Sequence, residues 1–236
     1  MHIGVIGAGT AVVGLLDALA ALEEKPNRIT VFEGSPTLWR GRPYQPDLAA
    51  VRVNVPPIRM SMRVGDPMHY QSWQADRDVT AYLDEGLGQP LVPRSVYGEY
   101  LEYTAAAAIG RLRDSGCSVR IVRANVIGFS RERHDVLHTD NGDHVPVDRA
   151  VLCVGSGRPR DHYGLTGAPG YVNEPYPLAD SLSEIPADHH VAVSAAGCAP
   201  SMSPSACPRT GTPARSVCCR AAACCPTYNN APSGWS

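Results

Sequence analysis

The start of the chain leaves few folds open to it. Met1-His-Ile-Gly-Val-Ile6 is an apolar run, Gly7-Ala8-Gly9 stops it, and a helical stretch from Thr10 to about Glu24 follows. Arg28-Ile-Thr-Val-Phe32 then reads as a second strand with Glu33 at its end. A strand, a glycine turn, a helix and a parallel strand closed by an acid make the βαβ unit suited to an adenine dinucleotide. Each part has a physical task. Gly7 permits the tight turn and Gly9 lets backbone approach a pyrophosphate. The helix N-terminus at Thr10 offers unpaired N–H groups and about half a positive charge. Glu33 would accept hydrogen bonds from the adenosine ribose, and its charge favours a ribose hydroxyl over a 2′-phosphate. One position departs from the pattern: the third glycine of G-x-G-x-x-G is Val12, and the next glycine is Gly14. A valine there would move the helix slightly outward or shift the turn by one residue. The competing reading is a plain βαβ core unit without a ligand; the flanking strands and the terminal acid weigh against it.

Composition sets the outer limits. The 236 residues suit one large domain, or one domain and part of another. With 21 basic and 23 acidic residues, nothing draws the chain to nucleic acid or to an anionic membrane. No apolar stretch is long enough to span a bilayer, and no basic segment precedes the first strand as in a signal peptide. A cytoplasmic location is therefore the expectation. Of the eight cysteines only Cys117 and Cys153 lie in the body of the chain; the other six fall between Cys198 and Cys225.

The chain carries two compositions. Up to about Val193 apolar strands, amphipathic helices and turn residues alternate as in a folded protein, which predicts a first domain over 1–193. Residues 194–236 contain no Asp or Glu and are dominated by Ala, Pro, Ser, Cys and Arg. The pairs Cys218-Cys219 and Cys224-Cys225 do not match a zinc spacing, and no His or carboxylate stands among them, so no metal site is expected. A disordered tail is one reading. Another is a GC-rich gene read out of frame, because the shifted frame of the tail can encode a second glycine turn directly after His190-Val-Ala-Val193.

Between the ends, Trp39-Arg-Gly-Arg-Pro-Tyr44, Arg52-Val-Asn-Val-Pro-Pro57 and Arg59-Met-Ser-Met62 form a long Pro- and Gly-broken excursion. Loops of that length in a compact domain are usually functional. Arg42, Asn54 and Ser61 could line the far end of a bound cofactor, or belong to a surface excursion. Gln71 to Leu87 reads as a helix with Trp73 packed on its apolar face. Arg94 stands just ahead of a helix from Glu99 to Leu112, where it could meet an anion such as a pyrophosphate. Ser118-Val-Arg-Ile-Val122 is a third parallel strand. Segments 125–131, 135–139 and 144–147, with an Asp140-Asn-Gly142 turn, predict an antiparallel meander. Arg149-Ala-Val-Leu-Cys-Val154 running into Gly155-Ser-Gly157 reads as a buried central strand stopped by glycine. The predicted class is α/β: a Rossmann-like domain with a parallel sheet and an inserted meander.

That order, with Gly7-Ala8-Gly9, Glu33, Gly41-Arg-Pro-Tyr44, Asn54-Val-Pro, Arg59-Met-Ser61, Pro93-Arg94, Tyr97-Gly98 and Val151-Leu-Cys-Val-Gly155, resembles the two-dinucleotide flavoproteins related to glutathione reductase. It is most similar to the bacterial FAD-NAD(P)-binding proteins near the N-hydroxylating monooxygenases. The likeness covers residues 1–193. It implies that Gly7 and Gly9 hold the FAD pyrophosphate and that Glu33 holds the ribose. By the same likeness Val126 touches adenine through its backbone, and Gly155 closes over the cofactor. Asn54, Met60 and Ser61 lie near the isoalloxazine. It further implies NAD(P)H as co-substrate, a small-molecule substrate and flavin-borne chemistry. No nucleophile–base pair stands out, and neither Cys117 nor Cys153 sits in a C-x-x-C pair. The family's second glycine turn and its final segment are not matched after Val193. The expected function is thus an FAD-dependent, monooxygenase-like oxidoreductase. The alternatives are a non-catalytic nucleotide-binding module, an inactive fragment, and a thiol-rich metal or redox binder built on the tail.

Overall fold

A computed structural model describes residues 1–131, 134–157, 159–186 and 188–192. Two units divide the chain, Met1–Leu182 and Ser183–Ser236. In the first, β1 (His2–Ile6), α1 (Thr10–Ala21) and β2 (Arg28–Phe32) form the expected βαβ element. The excursion after β2 contains α2 (His69–Ala75) and a two-residue ladder, β3 (Leu83–Asp84) with β4 (Gln89–Pro90). Next come α3 (Arg94–Asp114) and β5 (Ser118–Val122). The meander follows as β6 (Val126–Arg131), β7 (Asp135–Thr139) and β8 (His144–Val147). Then β9 (Arg149–Leu152) leads to α4 (Leu178–Ser183).

The main sheet has the order β5-β2-β1-β9, every pair parallel. Successive side chains on a strand point to opposite faces, so each strand feeds two cores. Ile3, Val5, Ile29, Val31 and Val119 face α1 and α3 with Val12, Val13, Leu16, Leu101, Ala105 and Leu112. Phe32 and Val122 face the meander with Ala124, Leu137 and Val147. Gly4 makes that second contact possible: a Cβ there would lie 2.7 Å from Leu137 Cδ1 and 2.8 Å from Val147 Cγ1. The result is three layers, two helices, a parallel sheet and an antiparallel sheet. Val12 is fully buried in the helix-side core, so the valine at the third glycine position is absorbed by packing.

The structure corrects four local readings. First, α1 ends at Ala21 because Leu22 turns to an extended backbone ahead of Pro26. Second, the stretch 71–87 is not one helix. After α2 the Asp78 carboxylate accepts from the Thr80 N–H at 3.1 Å and hydroxyl at 2.6 Å, and Gly86 and Gly88 then serve the β3–β4 turn. Local side-chain bonds of this kind compete with helix. Third, α3 starts five residues early, at Arg94, directly behind Pro93. Proline's fixed φ suits a helix start. Fourth, β9 is not central: among the described residues it is the sheet edge, with Leu152 72% and Val154 66% exposed.

Of the second unit, the described residues include a turn closed by the His189 N–H on the Pro186 carbonyl at 3.0 Å. The expected strand 190–193 reaches beyond the described residues, and the tail 194–236 with its six cysteines lies outside them.

Candidate functional site

The C-terminal ends of β1, β2 and β9 meet at the glycine turn, the place where open α/β sheets bind ligands. Gly7 has φ +95°, and its N–H donates to the Phe32 carbonyl at 2.8 Å. A Cβ on Gly7 would lie 2.4 Å from the Cys153 carbonyl oxygen, so β1 and the end of β9 approach too closely for any side chain. Gly9 is extended and caps α1 without a side chain. Among the described residues the N–H groups of Gly9, Thr10 and Ala11 have no acceptor, while the Ala8 N–H is taken by Glu33. Three free donors on a helix N-terminus form a cradle for anionic oxygen.

A loop roofs this cradle. The Trp39 N–H donates to the Ala8 carbonyl at 2.6 Å, and a Cβ on Gly9 would stand 3.5 Å from the Gly41 Cα. The Glu33 carboxylate closes one side, accepting from the Ala8 N–H and the Ser35 N–H at 2.9 Å each. It retains lone pairs for further donors, since a carboxylate accepts about four hydrogen bonds. Beside it, Gly34 lies so close to Asn125 that a Cβ would sit 2.3 Å from Asn125 Oδ1. Asn125 is anchored by Asp140, through its N–H at 3.0 Å and its Nδ2 at 2.7 Å. Val126 begins β6 next to it and packs on the meander-side core. The structure therefore brings Gly7, Gly9, Thr10, Glu33 and Val126 to one end of the sheet.

The remaining expected residues are placed differently. Arg42 bridges from the roof loop to the segment after β9: its Nη1 donates to the Gly157 carbonyl at 2.8 Å and its Nη2 pairs with Glu174. Gly155 has φ +65° and open space around it. The Met60 carbonyl accepts the Tyr97 hydroxyl at 2.8 Å, and the Met62 N–H donates to the Tyr100 hydroxyl at 3.0 Å. Met62 Cε lies 3.2 Å from where a Cβ of Gly14 would be, so segment 60–62 runs along α1. Ser61 uses its hydroxyl locally, donating to the Asp66 carbonyl and accepting from the Arg63 N–H at 3.2 Å. Asn54 is exposed. Arg94 is tied to the excursion, its N–H on the Val51 carbonyl at 2.8 Å and its Nε on the Arg52 carbonyl at 3.2 Å. Neither Asn54 nor Arg94 has a bond to the glycine turn among the described residues. Burial pushes the Tyr44 phenol up, with Arg94 opposing the shift. A hollow lined by Glu23, Lys25, Asn27 and Cys117 lies at the opposite end of the strands, by the starts of β2 and β5.

Sequence reasoning missed the roof itself. Arg40, Gly41 and Gly98 build it, and Glu174 meets Arg42, through pairs separated by dozens of residues. No local spacing encodes such pairs.

The cradle, the acid and the three-layer sheet define a dinucleotide-binding α/β domain. A family model described as FAD-NAD(P)-binding matches residues 4–157, and the chain belongs to that family. By membership the cofactors it binds are FAD and NAD(P). The free donors at Gly9, Thr10 and Ala11 fit the diphosphate of such a cofactor. No curated protein matches the chain. Among solved structures, an oxidised steroid monooxygenase bound to NADP is 19% identical with a TM-score of 0.47, covering 68% of this chain and 28% of that one. Ornithine N-hydroxylase from Kutzneria sp. 744 is 15% identical with a TM-score of 0.47, over 64% and 36%. A lysine monooxygenase from Nocardia farcinica is 14% identical with a TM-score of 0.43, over 70% and 57%. The chain thus spans 28% to 57% of the length of these three. Among the described residues no helix is long and apolar enough to cross a membrane.

Proposed function

We propose that the first unit binds FAD with its diphosphate on the Gly7–Thr10 cradle and its adenosine between Glu33 and Val126. The carrying observation is the set of free N–H groups at Gly9, Thr10 and Ala11 beneath the Gly41 roof, with Glu33 at their side. Bound flavin supplies electron transfer between NAD(P)H and an acceptor. The chain's own part is to neutralise the diphosphate with the α1 N-terminus, to orient the ribose on Glu33 and to hold the 60–62 segment along α1. Arg42, Asn54, Met60, Ser61, Arg94 and Gly155 belong to the same proposal as the outer lining. The acceptor reaction proposed is monooxygenase-like, on a small-molecule substrate in the cytoplasm. The proposal also takes 1–193 as the FAD-binding domain and 194–236 as a low-complexity Ala-, Pro- and Cys-rich tail.

The test is FAD titration of the purified chain and of Gly9→Ala. Gly9 has φ −91°, and its Cβ would meet Gly41 Cα at an ordinary 3.5 Å, so alanine fits the polypeptide but enters the cradle. The expected result is an unchanged fold with FAD affinity down by about tenfold or more, as for a methyl displacing a charged group from its donors. Equal affinity in both proteins would reject the site. A second reading, a fragment that binds FAD but turns nothing over, is favoured by one observation, the exposed apolar edge at Leu152 and Val154. NADPH and NADH oxidation by the FAD-loaded chain separates the two.

A further inference from the structure

The roof over the cradle is strained and has to be held. Trp39 is a bulky residue at φ +68°, and Gly41 stands at φ +60°. A left-handed backbone is strained for a non-glycine residue and persists only where its surroundings impose it. Trp39 is buried with its N–H on the Ala8 carbonyl, and the next residue, Arg40, is anchored on α3. Its side chain is 13% exposed and forms a two-pronged pair with Glu102 of α3, Nε to Oε1 at 2.7 Å and Nη2 to Oε2 at 2.9 Å. Its Nη1 donates to the Ser95 carbonyl at 3.0 Å and the Tyr44 carbonyl at 3.3 Å. One guanidinium thus ties the far end of the roof loop to the first turns of α3.

Gly98 makes room for that grip. A Cβ there would lie 2.3 Å from the Tyr44 carbonyl oxygen and 2.6 Å from Arg40 Nη1. A glycine inside a helix is disfavoured against alanine, and here it admits the loop to the helix surface. Tyr44 then packs against Tyr97 with ring centroids 4.7 Å apart and planes tilted by 59°. The chain of contact runs from α3 through Arg40 to Gly41, and from Gly41 to Gly9 and the Thr10 N–H. Among the described residues Arg40 itself has no bond to the cradle.

We infer that Arg40, gripped by Glu102 and seated over Gly98, is a positioning residue that fixes the roof above the glycine turn and so sets the affinity for a dinucleotide's diphosphate. The inference rests on the reading that this turn holds such a diphosphate. Rigid placement of a binding loop raises affinity by removing the ordering cost from the binding step. Lysine cannot replace the guanidinium, because a single ammonium lacks the fork that spans Glu102 and two carbonyls.

The test measures dissociation constants of FAD, ADP and adenosine for the full chain and for Arg40→Lys and Glu102→Gln. Amide hydrogen exchange of residues 41–45 is followed in parallel. The readout is the ratio of the adenosine to the ADP constant, which isolates the diphosphate. In Arg40→Lys that ratio should fall by about tenfold, the size of a side chain's ordering cost returned to the binding step, with FAD weakened alongside and exchange at 41–45 accelerated. Glu102→Gln should shift the same quantities in the same direction by less. A ratio unchanged while FAD, ADP and adenosine all weaken equally makes Arg40 a plain structural residue and overturns the inference. Unchanged exchange at 41–45 overturns it as well. If the unaltered chain binds neither FAD nor ADP, the dinucleotide reading fails first and takes the inference with it, an outcome distinct from both others. Should Arg40→Lys not fold, Glu102→Gln carries the test, since the Glu102 side chain is 45% exposed and its loss is tolerable.

Discussion

Replacing Gly7 by alanine separates two costs that usually come together. The first is backbone strain: φ is +95°, and a Cβ in the left-handed region costs about 1–2 kcal/mol. The second is collision. The new Cβ would lie 2.4 Å from the Cys153 carbonyl oxygen and 3.0 Å from its carbonyl carbon. Both are backbone atoms, and Cys153 is held by its own N–H on the Ile6 carbonyl at 2.8 Å, so β9 has to move away from β1. Overpacking of that kind costs about 1–3 kcal/mol. Against these, alanine stiffens the unfolded chain and returns about 0.4–1 kcal/mol. The net loss is about 2–4 kcal/mol, a large share of the roughly 5–15 kcal/mol that holds a domain folded. Gly155→Ala is the control: φ is +65°, but among the described residues nothing lies within 4 Å of its Cβ position. Its net cost is about 1 kcal/mol or less by the same reckoning. Urea unfolding followed by the fluorescence of the buried Trp39 and Trp73 measures both. A Gly7→Ala loss within about 0.5 kcal/mol of the Gly155→Ala loss would show that the β1–β9 approach is not what forbids a side chain at residue 7.

Three other outcomes are expected. Glu33→Gln replaces one acceptor oxygen by a donor, leaving the Ala8 or Ser35 N–H unmatched; stability should drop by about 1–3 kcal/mol and FAD should bind more weakly, by unfolding and titration. Tyr97→Phe removes the hydroxyl bond to the Met60 carbonyl, a neutral donor because burial pushes the phenol far up, and should cost about 1 kcal/mol and speed amide exchange at 60–62. For pH, burial lowers His2 below its ordinary 6.5, aided by Arg28. Burial also lowers His69, aided by Arg63 and Arg111 and opposed by Asp66 and Asp17. The unfolded chain then binds more protons than the folded one below about pH 6.5, so stability falls on acidification through that value and is level above it. A urea midpoint that rises between pH 8 and pH 5.5 would reverse this sign.

Where periodicity and punctuation carried the signal, the sequence was legible. The alternation of Ile3 and Val5 with Gly4, the Gly7-Ala8-Gly9 stop, Glu33 at the strand end and the Asp140-Asn-Gly142 turn gave β1, β2 and the meander nearly residue for residue, and the start of α1 but not its end. The start of α3 was obscured by Gly98, which reads as a helix breaker and is in fact the seat of Arg40. Asp78 and the glycines at 86 and 88 cut short a helix that apolar spacing alone continues to Leu87. The place of β9 was unreadable because an apolar run does not say whether one neighbour or two will pair with it. The roof was unreadable for another reason: Arg40 meets Glu102 across 62 residues, and Arg42 meets Glu174 across 132. Pairs so far apart leave no trace in local spacing.

The β1–β9 pairing also dictates an order of assembly. The His2 N–H reaches Asp148 across 146 residues, and the Gly7 turn takes its final shape against the Cys153 backbone. Closing so long a loop is slow and entropically late. During synthesis at about 5–20 residues per second, β1, α1 and β2 leave the ribosome several seconds or more before β9 exists. Through that interval one long edge of β1 stays unpaired and the underside of Gly4 awaits Leu137 and Val147. The cradle near the first residues is therefore finished by β9, the last strand among the described residues. A substitution in residues 149–153 that touches no cofactor will act on newly made chains, through yield and chaperone demand, before it acts on binding.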